Sequence, residues 1–166
     1  MDIVKKNTNS NNASVEQVKK AVKTVVAENE RTKNFIIYGA EETQGEELLD
    51  VISDVYIGLN ECPKHDQIIS VMRLGKLNNE STSASRPIKV TLNNSEEVKR
   101  LLSISRKLKQ SSGCKNLYIA PDRNLEERQA HKKLVVEMKK LINSQPDKYH
   151  YIKDNKVMSV DKSPNH

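Results

Sequence analysis

Between Asn34 and Asp122 the apolar residues change period in a fixed order, and that order restricts the fold more than any other property of the chain. Asn34 to Ala40 is a β-branched and aromatic run closed by glycine, the pattern of a buried strand. Thr43 and Glu46 offer a capping box, after which Leu48, Leu49, Ile52, Val55, Tyr56 and Leu59 recur at helical spacing up to Asn60-Glu61-Cys62-Pro63. Ile68 to Leu74 predicts a second strand. A polar loop from Asn78 to Ser85 separates it from the alternating run Ile88, Val90, Leu92. Asn94 and Glu97 read as another cap for a helix carrying Val98, Leu101, Leu102, Ile104 and Leu108, and Leu117 to Ala120 predicts a fourth strand ending at Pro121. Strand, helix, strand, strand, helix, strand is the split βαβ order. The expected fold is therefore α+β: a ferredoxin-like, RNA-recognition-motif-type βαββαβ domain over residues 34–122.

The flanks read differently. Residues 1–13 are polar and Asn-rich, too poor in apolar surface to offset ordering entropy, and are expected to be a disordered tail. Over residues 14–33 a Ser14/Gln17 cap precedes Val15, Val18, Val22 and Val25, spaced three and four apart with Asn29 next, which predicts a helix that is either a short coiled-coil seam or an amphipathic helix packed on its own domain. Residues 123–160 form a small α+β extension. Asn124 and Glu127 cap a helix with Leu134, Val135, Met138, Leu141 and Ile142 inward, and a hairpin turning at Asp154-Asn155 follows. Residues 161–166 read as a tail.

Enzymatic chemistry finds no footing here. There is no nucleophile elbow, phosphate loop, GxGxxG or zinc-ligand spacing, the four histidines are scattered, and Cys62 and Cys114 stand far apart. The cluster Glu41, Glu42, Glu46, Glu47, Asp50 and Asp54 flanks a helix N-terminus, where the dipole favours acids, so it reads as a solvated helix face. No enzyme, cofactor or metal is expected. The chain also lacks an apolar run of the roughly 20 residues a membrane span needs and a signal peptide, so no membrane association and an intracellular protein are expected.

Charge is distributed with more information than the net +6 conveys. Residues 35–70 carry one Lys/Arg against eight Asp/Glu, whereas residues 71–166 carry twenty against ten. Lys99, Arg100, Arg106, Lys107, Lys109 and Lys115 occur without an intervening acid, and Arg128, Lys132, Lys133, Lys139 and Lys140 are opposed over 128–140 only by Glu137. Arg73, Lys76, Arg86 and Lys89 decorate the middle strands. Such surfaces bind polyanions by releasing counterions, with little dependence on sequence. On an open sheet face Ile36, Tyr38, Lys89, Thr91 and Tyr118 would alternate with the core set, and Tyr38 and Tyr118 would each stack a base. The third strand, Arg86-Pro-Ile-Lys-Val-Thr-Leu92, lacks the aromatic signature of typical RNA-recognition motifs, so backbone charge must dominate.

Asn34-Phe-Ile-Ile-Tyr-Gly39, Arg73-Leu-Gly-Lys76, Arg86-Pro-Ile-Lys-Val90 and Tyr118-Ile-Ala-Pro-Asp122, followed by Glu126-Glu-Arg-Gln-Ala130, together resemble the first-open-reading-frame RNA-binding protein of LINE-type non-LTR retrotransposons. The resemblance covers about residues 15–160. It implies a coiled-coil homo-oligomer, a trimer through residues 15–29, and an RNA-recognition motif and C-terminal domain that clamp single-stranded RNA between them. A packaging and chaperone role in a cytoplasmic ribonucleoprotein or the nucleus would follow, with single-stranded DNA as a second ligand. Carried onto this chain, the family's basic second strand falls on Arg73 and Lys76, the loop before the third strand on Arg86, and a basic pair after Gln-Ala on His131 and Lys132. The family favours arginines at that pair. His131 departs from the pattern, with Arg128 and Lys133 as substitutes. The expected RNA contacts are thus Arg73, Lys76, Arg86, Lys89, Arg128, His131, Lys132, Lys133, Tyr38 and Tyr118. The alternative is a protein-interaction module on the same fold, without nucleic-acid binding.

Overall fold

The computed structural model describes residues 3–76 and 85–162, with side chains described from Ser14 onward. Two compact units divide at Asp122/Arg123. The expected polar loop 78–85 lies outside the described residues except for Ser85, as do residues 163–166 of the expected tail.

The first unit opens with α1 (Ile3–Thr32), followed by β1 (Asn34–Tyr38), α2 (Leu48–Gly58), β2 (Ile68–Arg73), β3 (Ile88–Leu92), α3 (Ser95–Ser103), a 3₁₀ turn over Ser105–Gln110, and β4 (Tyr118–Pro121). The strands form one antiparallel sheet in the order β2-β3-β1-β4, so the α+β expectation holds. Tail and helix are not separate at the N-terminus: α1 runs unbroken from Ile3, and the stretch expected to be disordered is helical from that residue on. No Gly or Pro occurs before Gly39, and once a helix is nucleated each further residue adds a hydrogen bond at little cost. At about 1.5 Å per residue α1 is ~45 Å long. Val15, Val18, Val22 and Val25 on it are 52–63% exposed.

One face of the sheet carries the core. Phe35 and Ile37 of β1, Ile88, Val90 and Leu92 of β3, and Ile119 of β4 pack against Ile52, Val55, Tyr56 and Leu59 around α2 and Val98, Leu101 and Leu108 around α3. Burying each large apolar side chain contributes on the order of 1.5–3 kcal/mol. The breaker after α2 is a Schellman ending: Asn60 takes a left-handed φ of 59°, its N–H donates to the Ile57 carbonyl, and the Glu61 N–H reaches the Tyr56 carbonyl. Of the three caps read for this unit, Ser14/Gln17 falls inside α1, which already begins at Ile3; of the other two, the first, Thr43/Glu46, is not formed. No side chain caps α2, because Glu46 is drawn to Arg73 instead. The second is half formed: Asn94 accepts from the Glu96 N–H, while Glu97 turns inward to Arg100 and Lys64.

The second unit comprises α4 (Leu125–Ser144) and the hairpin β5 (Lys148–Lys153) and β6 (Lys156–Asp161), the last reaching one residue into the expected tail. Asn124 and Glu127 close α4 with a reciprocal capping box. Asp154 and Asn155, both with positive φ, turn the hairpin in the manner whose twist matches antiparallel strands. His150 ties the pieces together, its ring contacting Ser159 Oγ at 2.8 Å and the Gln145 carbonyl at 3.0 Å. No helix among the described residues is long and apolar enough to cross a membrane.

Candidate nucleic-acid interface

The sheet face opposite the core is set by strand alternation. Pairing puts Ile36 beside Lys89 and Ala120, Asn34 beside Thr91, and Tyr38 beside Tyr118. The two tyrosines stack in parallel, with centroids 4.7 Å apart and an interplanar angle of 7°, and Tyr118 on the edge strand is half exposed. Burial, with Tyr38 beside it, raises the Tyr118 phenol above its ordinary pKa, so the hydroxyl stays a neutral donor. Ile36, expected on this open face, is only 4% exposed. Lys89 is only partly exposed and lies 3.5 Å from Asp122, whose same oxygen accepts from Asn34 at 2.8 Å. Sequence reading missed Asp122 as the group that holds Lys89, because the contact joins the third strand to the end of the fourth.

Arg73 and Arg86 occupy positions that correct their expected role as phosphate contacts. Arg73 is 5% exposed and spends all five N–H donors inside the protein. Nε and Nη2 grip both oxygens of Glu46 at 2.7 and 2.6 Å, Nη1 donates to the carbonyls of Ala40 and Arg86, and Nη2 also donates to that of Glu41. Arg86 grips Glu42 through Nε and Nη2 and donates to the Gly75 carbonyl through Nη1. That pairing holds the Glu42 carboxyl below the usual carboxylate range and raises the guanidinium. Glu42 and Glu46 are therefore not solvated helix-face acids. They pin the segment after β1 to the ends of β2 and β3 through two planar, two-oxygen contacts of the kind arginine makes best. Lys76, by contrast, is exposed and has no ion-pair partner among the described residues.

In the second unit the expected contacts lie on α4. Arg128, Lys132 and Lys133 are exposed, and none of them, nor Lys139 or Lys140, forms an ion pair among the described residues. At 100° per residue Arg128, Lys132 and Lys139 line one side and Lys133 and Lys140 the other of a strip containing Gln129 and the half-exposed Val136. A groove of about 410 Å³ lies among Gln129, Lys132, Lys133 and Val136. His131 is half-buried rather than on that strip. Burial and the Arg123 charge lower its pKa, leaving it mostly neutral near pH 7 and a poor phosphate contact.

A second charge cluster in the first unit is structural. Glu97, 7% exposed, accepts two bonds from Arg100 and lies 3.2 Å from Lys64, while Arg100 also reaches Glu61 at 2.8 Å. Arg100, counted with the basic run, is thereby removed from it. Tyr56, fully buried beside this cluster, has its phenol pushed up to about 12 by burial and by the Glu97 charge. Among the described residues no group of three or more His, Cys, Asp or Glu is placed to hold a metal ion.

No protein-family model matches the chain, and no curated protein matches it in sequence.

Proposed function

We propose that the chain is a non-catalytic binding protein for single-stranded RNA that grips the phosphate backbone, and that it packages a transcript into an intracellular ribonucleoprotein as the first-open-reading-frame protein of a LINE-type retrotransposon. The observation that carries the reading is the basic strip of α4: Arg128, Lys132, Lys133, Lys139 and Lys140 face solvent without an ion-pair partner among the described residues, whereas Arg73, Arg86 and Arg100 are neutralised by partners. Counterion release from unpaired cations is what gives affinity for a polyanion. The strand order β2-β3-β1-β4 supports a ferredoxin-like, RNA-recognition-motif-type sheet, on which the Tyr38–Tyr118 stack would offer an outer ring face to a base. The exposed valines of α1 support self-association, in a trimer as the resemblance implies.

The test is fluorescence-anisotropy titration with a labelled single-stranded RNA of about 20 nucleotides at several salt concentrations, beside single-stranded DNA and duplex controls. The reading predicts preference for the single strand and a log–log salt slope of about −0.7 per phosphate contact. Removing Arg128, Lys132 and Lys133 together should flatten that slope by about two units. Absence of binding at low salt would overturn the reading and leave a protein-interaction module in its place.

A further inference from the structure

The end of the four-stranded sheet holds a cleft of about 510 Å³ that the interface above does not use. Gly39, Ala40 and Glu41 after β1 line one part of it, Asp54 of α2 another, and Lys115 with its neighbours on the way into β4 the rest. The two strand ends meet closely because residue 39 is glycine. With φ at +82°, a Cβ there would lie 2.0 Å from the Asn116 carbonyl oxygen. The cleft begins one residue past the stacked tyrosines on both strands, since Gly39 follows Tyr38 and Leu117 precedes Tyr118. Its volume is in the range of small-molecule sites.

Charge decides what such a cleft admits. Glu41 and Asp54 are exposed carboxylates without an ion-pair partner among the described residues, and they would repel a phosphate placed between them. Lys115 likewise has no ion-pair partner among the described residues, and the 3₁₀ turn just before it carries Arg106, Lys107 and Lys109, with no acid anywhere from Val98 to Pro121. A ligand with a neutral, donor-rich head and a phosphate tail suits both halves. Among RNA bases guanine presents two adjacent N–H donors, N1–H and the 2-amino group, which match the two oxygens of one carboxylate. Uracil presents one donor between two acceptors, which a carboxylate rejects.

We propose that this cleft receives one guanine of the bound single strand. A carboxylate of Glu41 or Asp54 takes its Watson–Crick donors, Lys115 meets the adjoining phosphate, and the Arg106–Lys109 turn carries the backbone onward. The inference rests on the RNA-binding reading and adds to it a base preference that backbone charge alone does not supply.

The experiment compares oligouridylate of about 20 nucleotides with the same strand carrying one central guanosine, and with one central inosine, which lacks the 2-amino group. Wild type should bind the guanosine strand at least about fivefold more tightly than oligouridylate, with inosine between them. In the Glu41→Gln/Asp54→Asn variant that preference should vanish, while oligouridylate binding stays equal or tightens as two negative charges are lost. Equal wild-type affinity for all three strands, or a guanosine preference that survives in the variant, overturns the cleft assignment and leaves RNA binding standing. Failure of every strand to bind at low salt removes both together.

Discussion

Replacing Arg73 separates a phosphate contact from a structural clasp. In Arg73→Ala, the Glu46 carboxylate, only 17% exposed, loses its partner, and the carbonyls of Ala40, Glu41 and Arg86 each lose a donor. Breaking a buried ion pair by removing one partner costs about 3–5 kcal/mol; the residual exposure of Glu46 puts this one near the lower end, ~3 kcal/mol. That is a large share of the roughly 5–15 kcal/mol by which domains are stable. With a urea slope of about 1–3 kcal/mol/M the unfolding midpoint should fall by about 1–3 M. Arg73→Lys keeps the charge but offers three donors where five are used, so it should also destabilise, by about 2 kcal/mol. Glu46→Ala should cost a similar amount, and the double variant little more than either single one, since the two side chains are one interaction. The salt slope of RNA binding, measured in the cold where the variants remain folded, should match wild type. An Arg73→Ala protein with an unchanged urea midpoint and a slope flatter by about 0.7 would refute the clasp and restore Arg73 as a phosphate contact.

Acid should loosen the first unit through Glu97, whose carboxyl is held below its usual 4.5 mainly by Arg100 and then Lys64. Because the folded-state value is depressed, this contribution is complete above about pH 4.5 and is lost as pH falls through the lowered value; urea midpoints taken from about pH 6 down to 3 should decline, and less steeply in Glu97→Gln. Tyr118→Ala should weaken RNA binding by about 1–3 kcal/mol with no change in salt slope, and wild-type affinity in that variant would remove the stacking role. Gly39→Ala should lower the melting temperature by the equivalent of about 2 kcal/mol or more, from the left-handed backbone and the Asn116 carbonyl; an unchanged melt would contradict the close approach of β1 and β4. Val18→Glu with Val22→Glu should shift sedimentation of the chain towards the monomer, and an unaltered sedimentation profile would exclude the valine seam as the associating surface.

What could be read from the sequence was local. The runs at 34–40 and 88–92, the helical stripes at 48–59 and 125–144, and the Asp154-Asn155 turn each declare themselves within a few residues through period and turn chemistry. The Asn124/Glu127 cap forms as the spacing predicts, both of its hydrogen bonds closing within the first turn of α4. The Thr43/Glu46 cap does not, because a guanidinium 27 residues along the chain offers Glu46 two donors where a cap offers one. Arg86 and Glu42 lie 44 residues apart, and Asn34 and Asp122 lie 88. Charge counted by segment put an acidic middle against basic neighbours, but no spacing rule says which of those acids and bases will meet. The start of α1 is illegible for a related reason: the composition of residues 1–13 argues against an independent helix, not against extending one already nucleated downstream.

The same long-range pairing decides which cations can meet a polyanion. A basic residue attracts phosphate only in proportion to the charge the protein leaves uncompensated, so Arg73, Arg86 and Lys89, which sit nearest the sheet, contribute less than α4 with its cations turned to solvent. On the proposed RNA-binding reading, a few exposed lysines and one stacked tyrosine pair would give modest affinity per chain. Modest sites become effective when several are tethered, because each later contact is then intramolecular. The half-exposed valine seam of α1 would offer such a tether: burying those valines between copies would stabilise the helix and join the proposed RNA-binding units at once. Under the proposed function, weak backbone contacts and a self-associating helix would be two parts of one way of coating a long single strand.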